Sequence, residues 1–127
     1  MLTSNAERAA GTLQMAVKNK KFAVFVAEHD CRLVGIALLE QRGWNGALGE
    51  LWWIAVEWEL TRKGIGTKLL KRVEKHARSR GVRQINASTN PDNRIAIAFY
   101  LKNGYAVEGV LAKHHDGQEV LVLGKSL

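Results

Sequence analysis

The chain is poor in the residues that staple or break small proteins, since its 127 residues hold one cysteine and one proline. A single thiol, Cys31, closes no internal disulfide, so stability must come from a packed core, and a reducing cytoplasm is the expected setting. With 46% hydrophobic residues and so little proline, a disordered or low-complexity chain is excluded. No uninterrupted apolar run approaches the roughly 20 residues of a membrane-spanning helix, and no membrane partner is expected. The opening Met1-Leu2-Thr3-Ser4-Asn5 has neither a basic region nor an apolar core, so no signal peptide is expected. Acidic residues are also scarce, 12 against 19 basic, and the formal net charge of +7 disfavours a polycationic partner. The length suits one domain, residues 1–127, around a single core.

What is abundant is positive charge in one place. Lys68, Lys71, Arg72, Lys75, Arg78, Arg80 and Arg83 crowd one segment, with only Glu74 opposing them. This fits a solvated helix face, a polyphosphate site or a nucleic-acid surface. Just before it stands Glu59-Leu60-Thr61-Arg62-Lys63-Gly64-Ile65-Gly66-Thr67, a glycine-interrupted turn between a strand-like run and an amphipathic helix. Gly64 and Gly66 leave the backbone approachable, and the first N–H groups of a helix have no intrahelical acceptor. Such an end attracts anions through its unpaired donors and its dipole. The Walker pattern is excluded because Thr67 separates Gly66 from Lys68, and the dinucleotide pattern fails at Leu69, where a third glycine belongs. A plain strand-to-helix turn explains a bare G-x-G equally well.

The remaining pattern predicts a mixed α/β fold. Ser4 and Glu7 have capping-box spacing before Ala6, Ala9, Ala10, Leu13, Ala16 and Val17, predicting a helix over about 5–18. Strands are expected at Phe22–Glu28 and Leu33–Glu40, joined as a hairpin, and at about Glu50–Trp58 after a glycine-containing loop. The basic helix carries Ile65, Leu69, Leu70, Val73 and Ala77 inward and stops at Gly81. A strand at Val82–Ser88, a helix from Arg94 to about Asn103, and a hairpin of Tyr105–Leu111 with Glu119–Leu123 complete the order. This predicts a mixed, mostly antiparallel sheet flanked by helices.

The glycine turn, its long helix, and the downstream run Asn93-x-x-Ala96-Ile97-x-Phe99-Tyr100-x-x-x-Gly104-Tyr105 together resemble the GNAT family of N-acetyltransferases over roughly residues 20–127. The resemblance implies the acyl-CoA N-acyltransferase fold and acetyl-coenzyme A (acetyl-CoA) as co-substrate, with no metal. In the family's Q/R-x-x-G-x-G/A turn, Thr61 stands at the first position and Arg62 follows one place later. The resemblance further implies that the backbone of Ile54, Ala55 and Val56 pairs with the pantetheine arm. Arg62, Lys63, Gly64, Ile65, Gly66 and Thr67 would hold the diphosphate by their main-chain amides. Asn93 falls where the family often bonds the cofactor, and Tyr100 where it often places the acid for the departing thiolate. Residue types alone allow Asn93 to be a helix cap and Tyr100 a core aromatic.

Glu50 lies fourteen positions before Gly64, the offset at which the histone-acetylating branch carries its base, though an ordinary strand carboxylate is the competing reading. Glu57 and Glu59 are the runners-up. A lysine-like amine of pKa about 10.4 carries roughly 4 kcal/mol of deprotonation penalty near neutral pH, and a peptide α-amine of pKa near 8 only about 1 kcal/mol. A base therefore matters chiefly for strongly basic acceptors. The charge balance points to neutral or acidic small amines or protein N-termini as acceptors. A coenzyme A-binding regulator without turnover is the alternative, and a nucleic-acid module is weaker because the basic helix lacks interleaved aromatics.

Two tempting features are discounted and a third is left open. His114-His115-Asp116 occupies an expected hairpin tip with no further ligand set, and Cys31 has no activating neighbour beyond Arg32. Of Trp44, Trp52, Trp53 and Trp58, some must be core and one or two could line an apolar acceptor pocket; strict alternation puts Trp52 on one face with Glu50 and Ile54, and Trp53 on the other. Family members commonly begin with a strand and helix that this chain has no residues to build, so the sheet is expected to be one strand short. The exposed edge then invites a homodimer.

Overall fold

The computed structural model describes residues 19–57, 64–112 and 117–127. Expectations for the helix at 5–18, for Trp58, Glu59, Thr61, Arg62 and Lys63, and for the tip at 114–116 lie outside these residues. Among the described residues, six strands and two helices follow in the order β1 (Phe22–His29), β2 (Arg32–Arg42), β3 (Leu48–Val56), α1 (Ile65–Ser79), β4 (Gln84–Thr89), α2 (Arg94–Lys102), β5 (Ala106–Leu111) and β6 (Val120–Ser126). They form one sheet of order β1-β2-β3-β4-β6-β5. Only β3 and β4 run parallel, joined by α1 as the crossover a parallel pair requires.

Local chemistry explains the joints. Asp30 and Cys31 both take left-handed backbone, with φ of 52° and 60°, the geometry of a two-residue hairpin turn whose twist suits the flanking strands. Cys31 is exposed there. The two helices end alike. In α1, Gly81 takes φ of 83° and Val82 N–H reaches Ala77 O at 3.0 Å; in α2, Gly104 takes φ of 90° and Tyr105 N–H reaches Tyr100 O at 3.0 Å. Both are Schellman endings, in which a left-handed glycine lets the chain turn back onto the last carbonyls. Gly49, expected in the loop before β3, lies inside the strand. A Cβ there would meet Leu39, Val82 and Ile85 at 3.1–3.3 Å, so the sheet and the segment after α1 close onto bare backbone.

The core lies on the face covered by both helices. Leu69, Leu70, Val73 and Ala77 of α1 pack with Ala37, Leu39, Leu51, Ile85, Ala87 and Leu123 of the sheet and with Tyr100 and Tyr105. Glu74, the one acid among the basic residues of this helix, is buried at 3% exposure, because it faces the core between Leu70 and Ala77. No helix among the described residues is long and apolar enough to cross a membrane.

The sheet is not continuous along its length. Pairing between β3 and β4 runs only from Leu48 opposite Gln84 to Leu51 opposite Ala87, while β3 continues to Val56. At the same point β3 bulges against β2, since Leu39 pairs with Leu51 and Leu38 with Trp53, leaving Trp52 as the extra residue. A bulge bends its strand and increases local twist, which turns β3 away from β4 beyond Leu51. The bulge also corrects the face assignment made by alternation. Ile54 pairs with Ala37 and joins the helix-side core, whereas Trp53 lies opposite Leu38 on the second face, with its ring 6.5 Å from that of Trp52.

Candidate active site

The parted strands expose one edge of β3. Glu57 N–H donates to Val34 O of β2 at 2.8 Å. Backbone polar groups alternate sides along a strand, so those of Ala55 also face β2 and those of Ile54 and Val56 face the open edge. A Cβ on Gly35 would meet Ala55 O at 3.3 Å, which places that carbonyl on the β2 side as well. Of the three residues expected to pair with an extended ligand, Ile54 and Val56 are turned to do so, and Ala55 is not. Such an edge accepts an extended chain as an added strand.

The open edge leads to the start of α1. Gly64 is its N-cap at φ of 75°, no side chain caps it, and its first turn contains no acidic residue. The first intrahelical bond is Lys68 N–H to Gly64 O at 3.0 Å, leaving the N–H groups of Ile65, Gly66 and Thr67 without an intrahelical acceptor. Among the described residues, a Cβ on Gly64 would meet nothing within 4 Å. Gly66 has a different reason to be small. A Cβ there would lie 3.1 Å from Phe99 Cε1 and 3.8 Å from Val56 Cγ2, which shows that α1, β3 and α2 meet at this point. Phe99 was singled out by sequence only as a neighbour of Tyr100. The signal that could have found it is a glycine inside a first helical turn, which calls for a close neighbour.

Tyr100 follows on α2. It is 7% exposed, with its ring 5.5 Å from Phe99 and 5.4 Å from Tyr105. Burial pushes its phenol up to about 12, so it carries its proton throughout the physiological range. Asn93, at the start of α2, accepts from Ala96 N–H at 3.1 Å and is therefore a cap; its amide nitrogen is the group with which it could also meet a ligand.

Glu50 lies on the second face, half-buried, opposite Glu40 of β2 and beside Asn86 of β4. Trp52 shares that face, donating from Nε1 to Glu40 Oε1 at 3.0 Å and packing 6.4 Å from Phe22. Glu50 and Tyr100 thus stand on opposite faces, and the gap between β3 and β4 begins one residue after Leu51. Glu57 is held in an ion pair with Arg32 at 2.9 Å. Among the described residues no three His, Cys, Asp or Glu side chains group as a metal site.

Against known proteins, residues 4–105 match the acetyltransferase (GNAT) family, and the chain belongs to it. The uncharacterized protein YxbD of Bacillus subtilis is 42% identical over 55 residues, 43% of this chain and 35% of the relative. The chain therefore matches about a third of that relative's length. Among solved structures, a ribosomal-protein-alanine N-acetyltransferase of Brucella melitensis is 28% identical at a TM-score of 0.78, covering 95% of this chain and 78% of that one. An aminoglycoside 6'-N-acetyltransferase complexed with coenzyme A shares the fold at 22% identity and a TM-score of 0.80, covering 91% of this chain and 77% of that one. The mixed, mostly antiparallel sheet and its flanking helices are those of GNAT acetyltransferases.

Proposed function

We propose that the chain is an N-acetyltransferase that moves acetyl from acetyl-CoA directly to a primary amine. The observation that carries this reading is the parting of β3 from β4, which opens onto an uncapped, acid-free helix start. Acetyl-CoA supplies an acetyl thioester, which is activated toward amines. Ile54 and Val56 would hold its extended arm by backbone hydrogen bonds, and the amides of Gly64, Ile65, Gly66 and Thr67, with Arg62 and Lys63, its diphosphate. Asn93 would offer its amide nitrogen. Tyr100 holds the proton that the departing sulfur needs, and Glu50 would take the proton released by the attacking nitrogen, directly or through water.

The acceptor is proposed to be a small neutral or acidic amine or a protein N-terminus; the Brucella melitensis enzyme is named for a ribosomal-protein alanine. The net charge of +7 opposes a polycation. A cytoplasmic homodimer sharing a sheet edge completes the proposal, and light scattering showing only a 14.1 kDa species would remove the dimer. The central test measures acetyl-CoA binding by calorimetry and free thiol release against a panel of amines and alanine-first peptides. Binding with turnover is expected. Binding without turnover against every acceptor would mark a coenzyme A-binding regulator, and no binding would end the reading.

A further inference from the structure

Behind Tyr100 lies a polar cluster to which the proposed reaction assigns no task. Glu74 of α1 accepts from Tyr105 Oη at 2.9 Å and from Lys125 Nζ of β6 at 3.1 and 3.2 Å. Lys125 Nζ also donates to Asn103 O, the C-cap carbonyl of α2, at 3.0 Å. Its stem runs past Gly104, which its φ of 90° calls for, and a Cβ there would only touch Lys125 Cε at 3.4 Å. The cluster therefore ties the last turn of α2 to the middle of α1 and to β6. Tyr105 is its aromatic member, packed 5.4 Å from the Tyr100 ring and itself fixed by the Schellman bond to Tyr100 O.

Stability does not by itself explain such a cluster. Removing charges from water offsets much of their attraction, and well-packed apolar replacements of buried ion pairs are often as stable or more so. Geometry offers a task that apolar groups would do less well. Ionic hydrogen bonds are directional, and four of them aimed from Tyr105 and Lys125 at one carboxylate and one helix end favour a single arrangement of α2 on α1. The far side of α2 is set by contact between Phe99 and Gly66. Tyr100 sits between these two anchors.

We infer that Glu74, Tyr105 and Lys125 are positioning residues that hold the Tyr100 ring in place against the gap between β3 and β4. The inference rests on Tyr100 being the acid of the proposed reaction. Its test is the apolar triple variant Glu74→Leu/Tyr105→Phe/Lys125→Met, compared with Tyr100→Phe and with the two combined. The thiol-release assay uses acetyl-CoA with the best acceptor of the amine panel, or water if none is found.

The triple variant is expected to keep its melting temperature and its acetyl-CoA affinity, since the cluster lies away from the start of α1. Its turnover should fall about tenfold, the scale of a misplaced catalytic group. Added to Tyr100→Phe, it should lower turnover by less than about twofold further, because both changes act through one group. Carbon-13 tyrosine spectra supply a readout without activity. The chain has two tyrosines, so in the triple variant the remaining ring signals belong to Tyr100 and should show faster ring flipping than in the parent. If the triple variant does not fold, Tyr105→Phe alone keeps the Glu74–Lys125 pair and should show the same changes more weakly.

Unchanged turnover and ring signals, a loss that adds fully to Tyr100→Phe, or a loss that tracks a lowered melting temperature would overturn the inference. A fully active Tyr100→Phe enzyme would instead overturn the acid, leaving the ring spectra to decide the positioning.

Discussion

The two helices end in the same way and begin differently. Each closes on a left-handed glycine followed by a buried residue, Gly81 with Val82 and Gly104 with Tyr105. At its start, α2 satisfies a backbone donor internally through Asn93, whereas α1 opens on Gly64 with no side-chain cap; neither has an acid in its first turn. A helix start closed by its own side chain serves the fold; one left open beside a parted sheet can serve an anion. On the proposed function, α1 would hold the ligand and α2 would carry Phe99 and Tyr100 beside it.

The largest expected effect falls on α2. Tyr100→Phe should lower turnover by a factor on the order of a hundred, the usual scale of general acid catalysis, with acetyl-CoA affinity nearly unchanged by calorimetry. Full turnover would make α2 a packing element only. Next comes the open end of α1. Gly66→Asp should weaken acetyl-CoA binding at least tenfold, about 1.4 kcal/mol, by bringing a negative charge to the donors. Gly66→Ala separates charge from bulk, since it needs Phe99 to yield only slightly. Equal losses in the two variants would mean that packing against Phe99, not anion binding, governs the site.

A smaller effect tests the second face. Glu50→Gln should slow transfer several-fold at neutral pH with a lysine-like amine of pKa about 10.4, and recover as pH rises and the neutral amine becomes abundant. A loss that persists at high pH would assign Glu50 to structure. The smallest change sharpens the contrast between the helix starts. Asn93→Ala should cost about 1 kcal/mol of stability through the lost cap, while Asn93→Ser should restore it. If Asn93→Ser also keeps full acetyl-CoA affinity, Asn93 serves only α2; weakened binding in that stable variant would give its amide a second role.

Much of this was legible in the sequence because the signals are local. The turn Gly64–Thr67, the glycines after both helices, the hairpin at Asp30 and Cys31, and the order of strands and helices each depend on a few neighbouring residues. Trp53 and Ile54 were misread because a bulge is set by pairing with β2, and alternation counted along one strand cannot register an extra residue. The burial of Glu74 was not legible, because its partners Tyr105 and Lys125 lie 31 and 51 positions away and meet it only in the fold.

The sequence by itself determined the family, the element order and the glycine turn, because propensity, periodicity and turn chemistry act over short distances. Tertiary structure decided what those elements do together. It parted β3 from β4, turned Ile54 and Val56 rather than Ala55 to the open edge, set Gly66 against Phe99, and placed Tyr100 and Glu50 on opposite faces of the sheet. Each of these depends on register and packing between segments distant in the chain, and register is settled only when whole strands pair and bury their faces.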